Sequence, residues 1–361
     1  AACCGHNHAA APPPQAEIAQ EHKVLDVRAS ETTSLRLRLP VTLRGYPSEE
    51  CPTPTLRGMA DSESTVMIEG KQGDKFGVET LKLSHPGTPA NETIPAANET
   101  IPSDANTSLL VAMASGTCCI GVDGGKVRVM SCSVSAFNGT CVGATGNLTS
   151  VLVANCTLSD ATFGVIVAAG ARVCVERSLL HRLREAGVVA MGNGSLAELE
   201  GNTIDGTKSK KGMLGISVTE GARAVGVANE AFACGRAALS VAGNGSFASM
   251  THGEVRGPGE YGAMVSNQGR AVVRKCKVSK LDYGTVVMDS GTHLWVKDCD
   301  FSGGNKKDVF AGIQGILHLN ETTHVGDGVE ARALGQMRIP IVGDEGGWAP
   351  ADAAGGADSE T

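Results

Sequence analysis

Apolar and polar residues alternate along this chain in short runs, and the runs recur about every two dozen positions. Val127 and Val129, Val151 and Val153, Val173 and Val175, Ala197 and Leu199, Val225 and Val227, Ala248 and Met250, Ala271 and Val273, and Leu294 and Val296 form one set of alternating pairs. Alternation with period two marks a strand that buries one face, so each pair predicts a strand, here strand A. Shortly after each pair stands Cys132, Cys156, Ser178, Asn202, Glu230, Gly253, Cys276 or Cys299, a ladder spaced by 22 to 28 residues. A short turn strand then points Val134, Leu158, Leu180, Ile204, Phe232, Val255, Val278 or Phe301 inward. A loop of variable length follows. Strand B comes next, as in Gly164-Val165-Ile166-Val167 and Gly262-Ala263-Met264-Val265, and a Gly-bearing turn leads back to strand A.

A fixed period in this range predicts a solenoid, one stack of coils rather than the two or three globular domains that 361 residues would otherwise suggest. The pattern divides the chain into a disordered lead-in (1–23), a β-helix (24–325) and a C-terminal cap with an acidic, Gly-rich tail (326–361). Within the β-helix, 24–83 read as irregular first coils and 108–325 as regular ones. Between them, 84–107 read as a protruding loop, because Asn91-Glu92-Thr93-Ile94-Pro95 is nearly repeated at Asn98-Glu99-Thr100-Ile101-Pro102.

The Asn202-Thr203-Ile204 and Gly215-Ile216 type of repeat resembles the parallel β-helix repeats of the pectate-lyase-like class, shared by sugar-processing enzymes and carbohydrate-binding proteins. The Leu35-to-Gly45 stretch looks like the first coil of such proteins. Around Gly187-Val188-Val189-Ala190-Met191-Gly192-Asn193-Gly194 the texture is similar to the β-helix of F-box substrate-recognition proteins, but no F-box is visible and ubiquitin-ligase function does not carry over. The resemblance implies an all-β, single-stranded, right-handed parallel β-helix of about ten coils. Such a class implies carbohydrate chemistry without assigning it. The hydrolase signature of the class is missing: no Asp-Asp dipeptide occurs, and Arg338-Ile339 is followed by Pro340.

Composition narrows the function from the other side. The net charge of −7 argues against a nucleic-acid partner. No apolar run reaches the ~18–20 residues needed to span a bilayer. The chain opens at Ala1 without an initiator Met or a signal-like apolar segment, which is compatible with a trimmed form. Twelve Cys occur. Stacked ladder neighbours such as Cys132 and Cys156 would lie about 4.8 Å apart, within disulfide reach. The same position accepts Ser, Asn and Gly, however, so free, buried thiols are expected. Nine N-x-S/T sequons occur, at Asn91, Asn98, Asn106, Asn138, Asn147, Asn155, Asn193, Asn244 and Asn320, where chance gives about two. The excess suggests a secreted or cell-surface glycoprotein; Asn-Gly turn chemistry is the competing explanation, and a cytoplasmic location stays open. Cys3-Cys4-Gly5-His6-Asn7-His8 is a weak metal motif.

Three surfaces are candidates for chemistry. On strand A, Glu176, Glu198 and Glu200 fall on adjacent coils, and clustered carboxylates suit acid/base catalysis or Ca²⁺ ligation. No Arg or His is expected beside them. Strand B presents uncharged outward residues, from Ile166 and Ala168 to Phe310 and Gly312, which read either as a contact surface or as a face covered by the chain itself. The variable loops share one edge, where Arg182, Arg184, Lys208, Lys210, Lys211, Arg256 and Lys280 accompany Tyr261 and Tyr283 at equivalent positions of adjacent coils. A basic, aromatic edge suits an acidic polysaccharide or an acidic protein segment. The sequence therefore favours a non-catalytic binding module without a cofactor. A uronate-polymer lyase or epimerase and a structural surface glycoprotein are the alternatives.

Overall fold

The computed structural model describes residues 23–27, 31–32, 35–38, 41–45, 54–57, 64–71, 73–86 and 117–338, with 210–211, 313, 321–322, 326–328 and 332–335 excepted. All described strand pairings are parallel, each strand bonding to its counterpart one coil away. The chain is a β-solenoid with three stacked sheets and one hydrophobic core running between them. Strand A recurs nine times from 126–130 to Ile316–Leu319, against an expectation of about ten coils.

The same order begins earlier than the regular repeat. Lys23–Val27, Val41–Gly45 and Lys75–Glu79 stack successively and continue into the 126–130 half of Cys118–Met130. Thr55–Arg57 and Lys82–His85 stack beneath the turn strand Ser133–Ala136. After Pro86 the described chain resumes at Thr117, just before strand B of that coil, so most of the 84–107 segment lies outside the described residues.

The core follows from alternation. Val127, Val129, Val151, Val153, Val173 and Val175 are fully buried and stack in register. Each contributes roughly 1.5–3 kcal/mol by leaving water. Gly at the start of strand B is a packing demand: a Cβ on Gly187 would sit 2.6 Å from the carbonyl oxygen of Gly215 on the next coil.

One coil departs from the expected register. Leu196–Glu200 pairs with Arg223–Val227 so that Ala224 and Gly226 face the core, while Val225 and Val227 point outward, Val227 being 41% exposed. The ladder residue there is Asn229, not Glu230, and the inward residue of the turn strand is Ala231, not Phe232. A one-residue slip moves every side chain to the opposite face. The alternative Val225/Val227 reading matched the apolar pattern, but the core accepts Ala and Gly because the buried amide of Asn229 decides the register. The Asn202 backbone N–H donates to Asn229 Oδ1 at 3.0 Å, and Asn229 Nδ2 donates to the Leu199 carbonyl at 2.9 Å.

That bond belongs to a series. The Cys132 N–H meets Cys156 Sγ at 3.4 Å, the Cys156 N–H donates to Ser178 Oγ at 3.1 Å, and the Ser178 N–H donates to Asn202 Oδ1 at 2.9 Å. The ladder side chains thus satisfy backbone donors at the corner between strand A and the turn strand, where the sheet ladder is interrupted. The nine described cysteines are free thiols. Their ladder members act as hydrogen-bonding acceptors as well as packing groups.

Candidate functional site

The loop edge lies where each turn strand runs into strand B. Its outer row reads Ser159, His181, Asp205, Phe232, Arg256 and Ser279 in register on successive coils. The next position turns the chain and carries a left-handed backbone at Asp160, Arg182 and Lys280 (φ 53°, 54° and 60°), which throws these side chains out of the sheet.

The structure pairs much of the expected basic edge internally. Arg182 Nη2 lies 2.6 Å from Asp160 Oδ2. Arg184 donates to Asn138 Oδ1 and, at 3.2 Å, to Thr162 Oγ1, with its guanidinium 5.3 Å from the centre of the exposed Phe137 ring. Arg256 stacks over Phe232 at 4.6 Å. Lys306 Nζ meets Asp282 Oδ1 at 2.6 Å, and that carboxylate raises the ammonium pKa. Lys208 and Lys280 are exposed on the same edge, and Lys210 and Lys211 lie outside the described residues. The edge is a mixed array of paired and open cations rather than a uniformly basic strip.

Tyr261 and Tyr283 do meet. Their rings stack with centroids 5.5 Å apart and planes inclined by 27°, and Phe310 packs edge-on against Tyr283 at 5.7 Å. The pairing follows from register, since Tyr261, Tyr283 and Lys307 occupy one row at the start of strand B. Both tyrosines are half-buried. The Tyr261 hydroxyl is held above its ordinary pKa by burial and by Glu260, so it remains a neutral donor.

Sequence reasoning missed His181. It stands in register with Asp205, beside the Arg182–Asp160 ion pair. Burial first, and then Arg182, lower its pKa from the ordinary value, so the imidazole is neutral near pH 7. The available signal was positional: the repeat aligns His181 with Asp205.

The strand A carboxylates are differently placed. Glu176 pairs in register with Glu200, and Cys174 with Glu198. Contrary to expectation, arginines are beside them. Arg172 makes a two-pronged contact with Glu198, with both N···O distances 2.9 Å, and Arg177 lies 3.3 Å from Glu176. Burial and the three carboxylates raise the Cys174 thiol to about 12. Two of the three carboxylates are thus engaged in surface ion pairs. Among the described residues no group of three His, Cys, Asp or Glu side chains could hold a metal ion.

The uncharged face of strand B is not open, and its burial continues through Ser217, Ser240 and Met264 to Val286. Ile166 is 1% and Val189 2% exposed although both point away from the core, and with Phe163 and Ala186 they form a second apolar cluster.

Comparison with known proteins agrees with this architecture. Residues 111–251 match a family model described as a right-handed β-helix region. No curated protein matches the chain in sequence. Among solved structures, the full-length tailspike protein 2 of Escherichia coli O157:H7 bacteriophage CAB120 superimposes with a TM-score of 0.50 at 11% identity, over 88% of this chain and 42% of that one. The catalytic unit of a thermostable α-1,3-glucanase from Streptomyces thermodiastaticus strain HF3-3 gives 0.51 at 10% identity, over 91% of this chain and 65% of that one. The chain therefore spans less than two thirds of either relative, and at this identity the likeness is one of fold. Among the described residues no helix is long and apolar enough to cross a membrane.

Proposed function

We propose that this chain is a carbohydrate-recognition module that binds an acidic polysaccharide along its loop edge. The observation that carries this reading is the half-buried Tyr261–Tyr283 stack on the edge that also bears exposed Lys280 and Arg256. Aromatic faces offer apolar area to a sugar ring, and the tyrosine hydroxyls add a polar end. Cations in the neighbouring coils attract carboxylates. The tailspike and α-1,3-glucanase likenesses support a carbohydrate setting for the fold. Titration of uronate and neutral oligosaccharides against the protein tests it. Uronate binding that weakens with salt and with Tyr261→Ala supports the reading, and no binding to either class overturns it in favour of an acidic protein partner.

A lyase or epimerase acting on uronate polymers is the second reading. It is favoured by neutral His181 standing in register with Asp205 and beside Arg182, which together offer a proton acceptor and a carboxylate-binding cation. Formation of unsaturated chain ends or of an epimerised uronate, lost in His181→Ala, would replace the binding-only reading.

A further inference from the structure

Most described asparagines have a structural reason to be asparagine. Asn202, Asn229, Asn305 and Asn320 place their amides in hydrogen bonds to the backbone or to neighbouring side chains. Asn138, Asn155 and Asn267 hold a left-handed backbone (φ 58°, 53° and 51°), which Asn tolerates better than most residues. Asn147, Asn193 and Asn244 have neither reason. Their φ angles are not left-handed, their side chains make no hydrogen bond, and all three are exposed. All three are sequon asparagines.

They also share one place, the corner where strand B turns into strand A, and they occur on every second coil. The intervening coils present glycine: a Cβ on Gly170 would lie 3.2 Å from Asn147 Cβ, and one on Gly221 would lie 3.7 Å from Asn193 Cβ. The hydroxyl two residues after each Asn does have a structural task. Thr149 Oγ1 accepts from the Gly124 N–H at 2.6 Å, while Ser195 and Ser246 accept from the Gly170 and Gly221 N–H groups, each at 3.0 Å. Turn chemistry therefore explains the Ser and Thr of these sequons and leaves the Asn unexplained.

We infer that Asn147, Asn193 and Asn244 carry N-linked glycans, forming a row with one glycan per two coils, about 9.6 Å apart. Glycine on the alternate coils leaves room for each sugar stem. The hydroxyls, buried in the fold, are available to a transferase only before the coils close, so modification precedes folding. In the transfer, the Asn amide nitrogen bonds to C1 of a lipid-linked oligosaccharyl pyrophosphate. The C1–O bond breaks, the lipid pyrophosphate leaves, and one amide proton passes to base. The row sits on a different corner from the loop edge and would leave that edge uncovered. The inference is independent of the polysaccharide-binding reading.

The test is to direct the full chain through a eukaryotic secretory pathway and release its glycans with an amidase in heavy-oxygen water, which marks each occupied Asn as labelled Asp. Mass spectrometry of the folded, secreted protein should find the mark at Asn147, Asn193 and Asn244, and not at Asn320, whose Nδ2 donates to Asp298 in the fold, so that a glycan there would keep the coil from closing. Folded, secreted protein unmarked at the three positions overturns the inference, as does equal marking at Asn320. The triple variant Asn147→Gln, Asn193→Gln, Asn244→Gln, made without glycans, should keep the wild-type melting midpoint. A clear drop would give the three side chains a structural task and would also overturn it.

Discussion

Two corners of the same coil obey different rules. At the corner between strand A and the turn strand, Cys156, Ser178, Asn202 and Asn229 differ in chemistry but perform one task, accepting a buried N–H from the preceding coil. At the loop edge, Asp160 and Arg182 or Asp282 and Lys306 pair with each other in water and leave the backbone alone. The difference shows how to read polar residues in a solenoid. A polar group that completes the backbone hydrogen bonding is accounted for by folding. A polar or aromatic group held in register without that task, such as Tyr261, His181 or Asn193, calls for a reason outside the fold.

Substitutions can break this contrast at several sizes. The largest effect is expected for Asn202→Leu. It removes the acceptor of the Ser178 N–H and the donor to the Val175 carbonyl, both buried. At ~1–3 kcal/mol for each group left unsatisfied, the loss is about 2–6 kcal/mol in a denaturant titration. Ile204→Ala should cost ~2–5 kcal/mol, because Ile204 is fully buried. Its counterpart Phe232→Ala should cost far less, mainly the contact with Arg256, at roughly 0.5–1 kcal/mol. Equal losses would restore Phe232 to the core and undo the register described for that coil. Arg182→Ala at the loop edge should change stability by no more than about 1 kcal/mol, since the pair with Asp160 is exposed.

Buried thiols add a pH dependence. Burial pushes Cys119 and Cys234 from 9.0 up to about 12. Because the folded values lie above the unfolded one, their contribution is intact below pH 9 and is lost as pH rises from about 9 toward 12. Thermal melts across that interval should show a falling midpoint, and alkylation of these two thiols in the folded protein should be negligible at pH 8.

Most of the coil was legible in the sequence because burial repeats. Val151 and Val153, Leu158 and Val165 keep the same spacing relations from coil to coil, and the structure buries them all. Legibility failed where two registers both satisfied the apolar pattern. Around Val225 and Val227 the pattern favoured the larger residues, and the hydrogen-bonding needs of Asn229, which connect residues a full coil apart, decided otherwise. The loop edge was legible as a place, and the Tyr261–Tyr283 contact follows from the repeat. Its charge was not, because the pairing of Arg182 with Asp160 and Arg184 with Asn138 depends on side-chain reach across coils. For the same reason the arginines beside Glu198 and Glu176 went unread: Arg172 lies on the neighbouring coil from Glu198, and Arg177 follows Glu176 outside the strand alternation.

The proposed binding face is the loop edge and not the strand A carboxylates. Calorimetric titration of a uronate oligosaccharide into wild type, Tyr261→Ala/Tyr283→Ala and Glu198→Gln tests it most directly. Binding is expected for wild type and for the Glu198 variant, with at least about a tenfold loss in the tyrosine variant, equivalent to ~1.4 kcal/mol. Binding that survives removal of both tyrosines and disappears with Glu198 would contradict it.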